Sequence, residues 1–285
     1  MKNKYLSPAN IRKFIESALL EDVGTGDHST LAALPNGTLG AAKLLIKEDG
    51  ILAGIELAQM IFNYYDPELK LEIFLQDGQK VKKGDVGFIV SGYAASILTT
   101  ERLVLNCMQR MSAIATKTNR LASIIDHTHT KLLDTRKTTP NFRMLEKWAV
   151  SIGGGENHRF ALYDMIMLKD NHVDFAGGIP QAIHAAREYL NKKNLDLKIE
   201  IETRNLDEVR QVIETGGVDV IMLDNMDYQT MRDAVALIDG KYLTEASGGI
   251  TEDTLKEVAE CGVDFISVGA LTHHVKSMDI SLKAI

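Results

Sequence analysis

The sequence lacks the features that would place a protein in a membrane, outside the cell or on nucleic acid. Its 285 residues contain no apolar run of the roughly 20 residues that a membrane-spanning helix requires. The first ten residues, MKNKYLSPAN, contain no apolar signal core. Acidic residues (39) outnumber basic ones (32), whereas nucleic-acid phosphates are bound by clustered cations. We therefore expect a cytoplasmic protein with no membrane or nucleic-acid partner.

Cysteine and proline are also scarce. The two cysteines, Cys107 and Cys261, have no metal-ligand spacing and apolar neighbours, so we expect both to be reduced core residues. With only five prolines, no Pro-rich linker is present. The length and the 45% hydrophobic content suit either two domains or one barrel with an appendage.

The first 126 residues mix helical periodicity with short strands. Turn signals at Asp77-Gly78 and Lys83-Gly84 separate short apolar runs, which favours a hairpin-rich sheet. The spacing of apolar residues predicts helices over 8–21, Ile55–Tyr64 and 97–126, and strands over 40–47 and 71–75.

From about residue 130 short apolar runs alternate with helical patterns, which implies βα units and a parallel sheet. An open doubly wound sheet and a closed or partly closed barrel both fit this alternation. The predicted strands are Lys131–Leu133, Met165–Leu168, Leu197–Glu202, Asp219–Leu223, Tyr242–Glu245 and Asp264–Val268. The predicted helices are Gly178–Asn191, Leu206–Thr215, Tyr228–Ile238 and Glu252–Glu260.

Polar residues at the end of each predicted strand favour the barrel, because strand C-termini converge on one catalytic mouth. Loops after the last two strands of such barrels often bind phosphate through glycine N–H groups. EASGGI and SVGALTHH fit that role with Ser247, Gly248, Gly249 and Gly269. Each glycine-rich turn taken alone is equally typical of an ordinary loop.

Cations are concentrated between residues 134 and 172, against the acidic background of the chain. Arg136 and Lys137 follow one predicted strand, Lys169 follows the next, and His158 and Arg159 lie between them. Such donors suit a small, multiply anionic ligand, and arginine binds carboxylates in bidentate fashion. Any one of these residues could also be a solvated loop residue.

Two carboxylates, Glu202 and Asp224, end neighbouring predicted strands. They could cap or pair with nearby lysines. In a cation-rich mouth they could instead hold Mg²⁺, which typically takes one or two carboxylates together with substrate phosphate oxygens.

The motifs DTRKTTP, EKWAV, GGGENHR and LKDNH closely resemble those of the quinolinate phosphoribosyltransferase family. EDVGTGD near the start and TTERLVLN extend the resemblance over nearly the whole chain. It implies transfer of the phosphoribosyl group of phosphoribosyl pyrophosphate to quinolinate, with release of CO₂ and pyrophosphate, to give nicotinate mononucleotide for NAD biosynthesis. It also implies Mg²⁺ and a homodimer, or a higher homo-oligomer, with shared active sites.

The resemblance also implies roles for individual residues. Lys137 would lie near the departing pyrophosphate, and Glu202 and Asp224 near the ribose and the metal. Quinolinate would be surrounded by Arg136, His158, Arg159 and Lys169, with Arg102 supplied by a neighbouring subunit. The 5′-phosphate would be bound by Ser247, Gly248, Gly249 and Gly269, with His273 close by. Lys137, Lys169, Glu202 and Asp224 are the expected catalytic residues.

The sequence departs from the family pattern at Asn141 and Ala161, where glycine is usual. Asparagine tolerates the left-handed conformation, so we expect the turn to be kept, and at Ala161 we expect only a small packing change. We predict an N-terminal α+β sandwich-like domain over 1–110, a parallel βα barrel, possibly incomplete, over 111–270, and a C-terminal segment over 271–285 that returns to the N-terminal domain.

Three alternatives remain at this point. Another phosphoribosyltransferase of the same fold could act on nicotinate or another pyridine carboxylate. A Schiff-base aldolase would use Lys137 or Lys169 as nucleophile, but it requires a lysine in apolar surroundings. A carrier or interaction module is suggested by the hairpin region, which resembles lipoyl domains but lacks their modified lysine.

Overall fold

The computed structural model describes residues 5–285, and these form two compact units, each with its own sheet. Unit 1 comprises residues up to Asn119, Thr138–Gly154 and Ala270–Ile285. Unit 2 comprises Arg120–Lys137 and Gly155–Gly269. The predicted boundary at residues 110 and 111 falls inside a long helix, Ala94–Ile124.

Unit 1 is built on a four-stranded antiparallel sheet in the order β12-β1-β5-β3. The C-terminal segment therefore contributes a strand to the sheet of the N-terminal residues. The strands are β1 (Leu39–Ile46), β2 (Gly50–Ile51), β3 (Lys70–Ile73), β4 (Lys80–Val81), β5 (Val86–Tyr93) and β12 (Ile280–Ala284). The helices are α1 (Pro8–Val23), α2 (His28–Ala33), α3 (Ile55–Tyr65), α4 (Ala94–Ile124, of which 120–124 belong to unit 2), α5 (Arg143–Ile152) and α11 (Ala270–His273).

The core of unit 1 lies between this sheet and its helices. Leu44 and Ile46 of β1 are fully buried at alternate positions, as expected for a strand with one face in the core. Phe62 of α3 meets Phe88 of β5 edge to face, with 5.9 Å between ring centroids.

Both turns predicted around β4 are present, but the strands beside them find other partners. β4 pairs with β2, and β5 pairs with β1 and β3. With only two residues, β4 is too short to pair with the hydrogen-bonding groups along the eight-residue β5. The longer strands β1 and β3 pair with β5 instead.

Unit 2 is a six-stranded parallel sheet in the order β6-β11-β10-β9-β8-β7, so the predicted parallel sheet is confirmed. Its strands are β6 (Lys131–Leu133), β7 (Ile166–Leu168), β8 (Ile199–Thr203), β9 (Val220–Asp224), β10 (Leu243–Ser247) and β11 (Phe265–Ser267). Its helices are α6 (Asp170–Ala176), α7 (Ile179–Lys193), α8 (Leu206–Thr215), α9 (Tyr228–Ile238) and α10 (Leu255–Ala259).

The barrel is incomplete. Strands β6 and β7 are neighbours in sequence but stand at opposite ends of the strand order, and among residues 5–285 no ladder joins them. Glu156 forms a one-residue parallel bridge to Leu133 of β6 and thereby extends that edge.

Several local predictions can be compared with the structure. Cys107 and Cys261 are buried and free, as predicted. Asn141 has φ 62°, so the expected left-handed turn is also confirmed. Within residues 5–285 no helix has both the length and the apolar character needed to cross a bilayer.

Candidate active site

The parallel register of unit 2 brings the polar strand ends to a common edge. Leu168 is paired with Ile201, which places Lys169 beside Glu202. Two strands further along, Ser247 is paired with Asp224. Because all six strands run in the same direction, the residues that follow β6 and β11 lie at this edge as well.

Two arginines predicted to bind the same ligand lie within electrostatic range of each other. Burial and the positive charge of Arg136 lower the pKa of Arg159, while Glu200, Asp164 and Glu202 oppose this shift. The Arg159 guanidinium is held by a hydrogen bond from Nη1 to the carbonyl oxygen of Met165, at 3.3 Å. Two partly desolvated guanidiniums that repel each other form a site that an anion would stabilise.

Lys169 forms an ion pair with Glu202, a buried residue of β8. The other carboxylate oxygen of Glu202 accepts a hydrogen bond from the backbone N–H of Asp170, at 3.2 Å. The lysine backbone N–H donates to Nδ1 of His172, at 3.0 Å. Lys169 therefore has charged and polar surroundings, which differ from the apolar setting that a Schiff-base lysine requires.

Asp134, at the end of β6, fixes the segment that carries His158. Its carboxylate is fully buried and accepts hydrogen bonds from the backbone N–H of His158 (3.0 Å) and from Nδ2 of Asn157 (2.6 Å). Charge-assisted bonds of this kind are stronger than neutral ones.

Both ring nitrogens of His158 make contacts inside the protein. Nε2 lies 2.8 Å from Oε2 of Glu200 and 3.4 Å from Oε2 of Glu245. Nδ1 accepts the backbone N–H of Arg159, at 2.7 Å. The histidine side chain is only 8% exposed and the two carboxyls are almost completely buried. Burial, followed by the charge of Glu200, raises the pKa of Glu245 to about 8.

Three of the four residues predicted to bind the 5′-phosphate line a cavity of about 310 Å³. Ser247, Gly248 and Gly249 border this cavity together with Met226 and Tyr228. Gly248 has φ 96°, and a Cβ built on it would lie 2.2 Å from Oδ1 of Asn225.

Asn225 connects this turn to the carboxylate at the end of β9. It adopts φ 53°, and its backbone N–H donates to the carbonyl oxygen of Ser247 at 2.9 Å. Its Nδ2 donates to Oδ2 of Asp224 at 2.8 Å. The side chain of Asn225 therefore orients Asp224 and occupies the space that a Cβ at Gly248 would need.

The remaining predicted residues are placed as follows. Lys137 is exposed after β6, and Gly269 follows β11 in unit 2. Arg102 is exposed on α4, and His273 is exposed in α11 with its ring 4.4 Å from that of His274, both in unit 1. The roles assigned to these residues stay predictions.

Sequence reasoning assigned no role to Glu200, Glu245 or Asp134, although all three lie at the predicted strand ends. The signal that could have found them is an ionisable residue inside an apolar strand, as in the IEIE run of β8. A carboxyl buried in a strand is rare unless it is paired.

Comparisons with known proteins cover almost the whole chain. A family model described as the C-terminal domain of quinolinate phosphoribosyl transferase matches residues 114–283, and the N-terminal domain of the same family matches residues 27–112. The chain is 48% identical over 289 residues to the chloroplastic nicotinate-nucleotide pyrophosphorylase (carboxylating) of Arabidopsis thaliana. That alignment covers 96% of this chain and 82% of the relative.

More distant relatives give the same result. A probable nicotinate-nucleotide pyrophosphorylase (carboxylating) of Bacillus subtilis is 42% identical over 272 residues, with 95% of this chain and 92% of the relative covered. The solved structure of the nicotinate-nucleotide pyrophosphorylase from Francisella tularensis superposes with a TM-score of 0.91 at 38% identity, and each chain is covered completely. On these matches, the chain belongs to the quinolinate phosphoribosyltransferase family.

Proposed function

We propose that the cation-rich edge of the parallel sheet in unit 2 is where this chain carries out the reaction of its family. The chain transfers the phosphoribosyl group of phosphoribosyl pyrophosphate to the ring nitrogen of quinolinate. The carboxylate beside that nitrogen leaves as CO₂, and the carbon left behind takes a proton. The products are nicotinate mononucleotide, pyrophosphate and CO₂.

The observation that carries the assignment to this edge is the pair of guanidiniums of Arg136 and Arg159. Burial and the charge of Arg136 lower the pKa of Arg159. A pyridine with two adjacent carboxylates would supply two negative charges, and each carboxylate can accept two hydrogen bonds from a planar guanidinium. The ammonium of Lys169, which follows β7, would add a third positive group.

Catalysis would come from positioning and electrostatics, with no covalent nucleophile. Arg136, Arg159 and Lys169 would hold the carboxylates so that the ring nitrogen faces the anomeric carbon. Lys137 would offset the negative charge that develops on the departing pyrophosphate. Each such oriented contact is worth on the order of 10²–10³ in rate.

We also assign Mg²⁺ to the carboxylates of Glu202 and Asp224. Both are hard oxygen donors at the ends of adjacent parallel strands, and Asp224 is oriented by Asn225. Each oxygen of Glu202 accepts one hydrogen bond, from Lys169 or from Asp170, and a carboxylate oxygen has a second lone pair. When bound, the ion would screen the charge of the phosphate groups of the sugar substrate.

A direct assay tests the function. The protein is incubated with phosphoribosyl pyrophosphate, Mg²⁺ and either quinolinate or nicotinate, and the nucleotide and CO₂ are quantified. We expect nicotinate mononucleotide and one equivalent of CO₂ from quinolinate. Nucleotide from nicotinate alone would contradict the assignment.

A matched pair of variants tests the location. Arg159→Gln should lower kcat/KM for quinolinate by about 10² or more, since one charge contact is lost. Arg210→Gln removes an exposed arginine on α8 and should leave kcat/KM within twofold. Equal activity in the two variants would place the site elsewhere.

A further inference from the structure

His158, Glu200 and Glu245 form a buried ionisable cluster in unit 2, and the reaction leaves the role of its two carboxyls open. Its three ligand-type atoms lie within 4.8 Å of one another, an arrangement that also suggests a metal site. The hydrogen bond at Nδ1 of His158 distinguishes a metal site from a hydrogen-bonded cluster.

A backbone N–H can only donate, so the bond from Arg159 requires a lone pair on Nδ1 of His158. The ring proton must then reside on Nε2, where it points to Glu200. A metal ion at Nε2 would need the lone pair at the position that carries this proton. The geometry therefore assigns the cluster to hydrogen bonding rather than to metal ligation.

The same geometry limits what His158 can offer to a substrate. Its two nitrogens are directed to Arg159 and to the carboxyls, so the imidazole keeps neither a donor nor an acceptor nitrogen for a carboxylate ligand. Its contact with Arg159, by contrast, fixes the backbone of a residue whose guanidinium is predicted to bind quinolinate.

We propose that Glu200 is a positioning residue for quinolinate binding: by accepting the Nε2 proton of His158 it keeps Nδ1 available to hold the backbone N–H of Arg159. This inference rests on the proposed function, because it concerns the same quinolinate site. Glu200 is the principal acceptor at 2.8 Å, and Glu245 is a second, longer contact at 3.4 Å. The imidazole thus acts on the ligand through Arg159.

Within the described part of the chain the cluster leaves two carboxyl oxygens without a partner, which is costly for the fold. Oε1 of Glu200 and Oε1 of Glu245 are buried without a hydrogen-bond partner among residues 5–285. Replacing all members of such a buried polar cluster by apolar side chains is often neutral for stability, whereas removing one partner alone is destabilising. If the cluster served stability alone, substitution would lower the Tm without raising the KM for quinolinate selectively.

The test uses two substitutions of similar size at Glu200. Glu200→Gln keeps an acceptor oxygen, whereas Glu200→Met fills the space without one. We expect the KM for quinolinate to rise about tenfold or more in Glu200→Met and less than threefold in Glu200→Gln, with the KM for phosphoribosyl pyrophosphate unchanged in both. The Tm of Glu200→Met should fall, because the buried Nε2–H of His158 loses its principal acceptor. An equal quinolinate KM in the two variants, or equal increases in both KM values, would overturn the proposal.

A double-mutant cycle locates the effect at Arg159. In an Arg159→Lys background, Glu200→Met should change quinolinate affinity by less than about twofold, because the residue it positions is already altered. If Glu200→Met changes quinolinate affinity by the same factor in both backgrounds, Glu200 does not act through Arg159.

Should Glu200→Met fail to fold, His158 provides a second pair. His158→Asn places an oxygen near the position of Nδ1 and keeps an acceptor for Arg159, whereas His158→Gln does not. Tighter quinolinate binding by the Asn variant, by about fivefold or more, supports the proposal, and equal binding contradicts it. Conversion of quinolinate by the unsubstituted protein is measured first, so failure of the proposed function is recognised separately.

Discussion

Gly248 shows how one residue constrains the predicted phosphate site. Its φ of 96° is unfavourable for any residue with a Cβ, and the added carbon would lie 2.2 Å from Oδ1 of Asn225. Gly248→Ala must therefore displace Asn225, whose amide orients Asp224.

We expect Gly248→Ala to raise the KM for phosphoribosyl pyrophosphate at least about tenfold, since about 1–3 kcal/mol of backbone strain is added at the site. Steady-state kinetics measure this effect. Gly249→Ala is the matched control, because its φ of 60° lies in the left-handed region. Apart from its two chain neighbours, no residue among 5–285 has an atom within 4 Å of the position that its Cβ would take. A smaller effect at Gly248 than at Gly249 would contradict the interpretation.

Glu245 makes the stability of the fold depend on pH. Burial raises its pKa to about 8 from an ordinary value of 4.5, so the folded protein binds this proton more tightly than the unfolded chain does. The stabilisation is fully present below pH 4.5 and is lost as pH rises through about 8. The unfolding free energy changes by at most about 1.4 kcal/mol for each pH unit between 4.5 and about 8.

Glu245→Gln removes the ionisation. We expect the unfolding free energy of the variant, minus that of the parent, to increase steadily as pH rises from about 5.5 to about 8.5. Urea denaturation measures both free energies. Glu188→Gln, an exposed substitution of the same kind on α7, is the reference for loss of one carboxyl. A parent-to-variant difference that stays constant with pH would refute this account.

At the scale of elements, the periodic ones were predicted and the irregular ones were missed. β6, α8 and α9 have the predicted bounds, because apolar residues recur with a clear period there. α5 was not predicted from EKWAVSIG, since Glu146 and Lys147 interrupt its apolar pattern and yet are buried. The ion pair of Glu146 with Arg110, which a local pattern does not reveal, compensates for the burial of the glutamate charge.

The glycine triplet illustrates the same limit. The run Gly153-Gly154-Gly155 would allow the backbone to approach a ligand closely, but at Gly153 the structure shows close approach to α4. A Cβ there would lie 2.5 Å from the carbonyl oxygen of Ala115. Likewise, the cations at strand ends were predictable from their position after apolar runs. The buried carboxyls of Glu200 and Glu245 were not, because their contacts with His158 join residues far apart in the sequence.

Glu146 stabilises the junction of three segments of unit 1. It accepts hydrogen bonds from Nε and Nη2 of Arg110 on α4 (3.0 and 2.8 Å), and from the backbone N–H and hydroxyl of Thr139 (3.0 and 2.9 Å). Arg110 also donates to the carbonyl oxygen of Val275, at 3.0 Å.

We expect Glu146→Gln to lower the unfolding free energy by about 3 kcal/mol, because it leaves the partly buried Arg110 charge uncompensated. Glu252→Gln, which breaks an exposed ion pair with Arg120, should cost less than about 1 kcal/mol. Urea denaturation of both variants provides the comparison. Equal losses would show that burial does not set the strength of these pairs.

At the scale of the whole molecule, family membership extends over both units, since the two family models together match residues 27–112 and 114–283. The sequence resemblance to this family therefore extends over both domains and is not limited to one motif. It also raises a question of assembly, because Arg102 is exposed on α4 and is predicted to complete the site of a neighbouring subunit.

Mixed assemblies test that prediction. Arg102→Ala and Lys137→Ala should each abolish activity as pure proteins. In a homodimer with shared sites, an equimolar mixture forms about half heterodimers, and each of these has one intact site of two, so about a quarter of the parent activity should return. Coexpression with two affinity tags allows the heterodimer to be isolated and assayed.

The control for this experiment is a pair of variants that damage the same side of the site. Arg136→Ala mixed with Lys137→Ala leaves every site defective, because both residues follow β6 of the same chain. No activity should return, whether or not the sites are shared. If activity returns in the first mixture and not in the second, the active site must be built from two chains. If activity returns in neither mixture, Arg102 does not belong to the partner's site and each subunit acts alone.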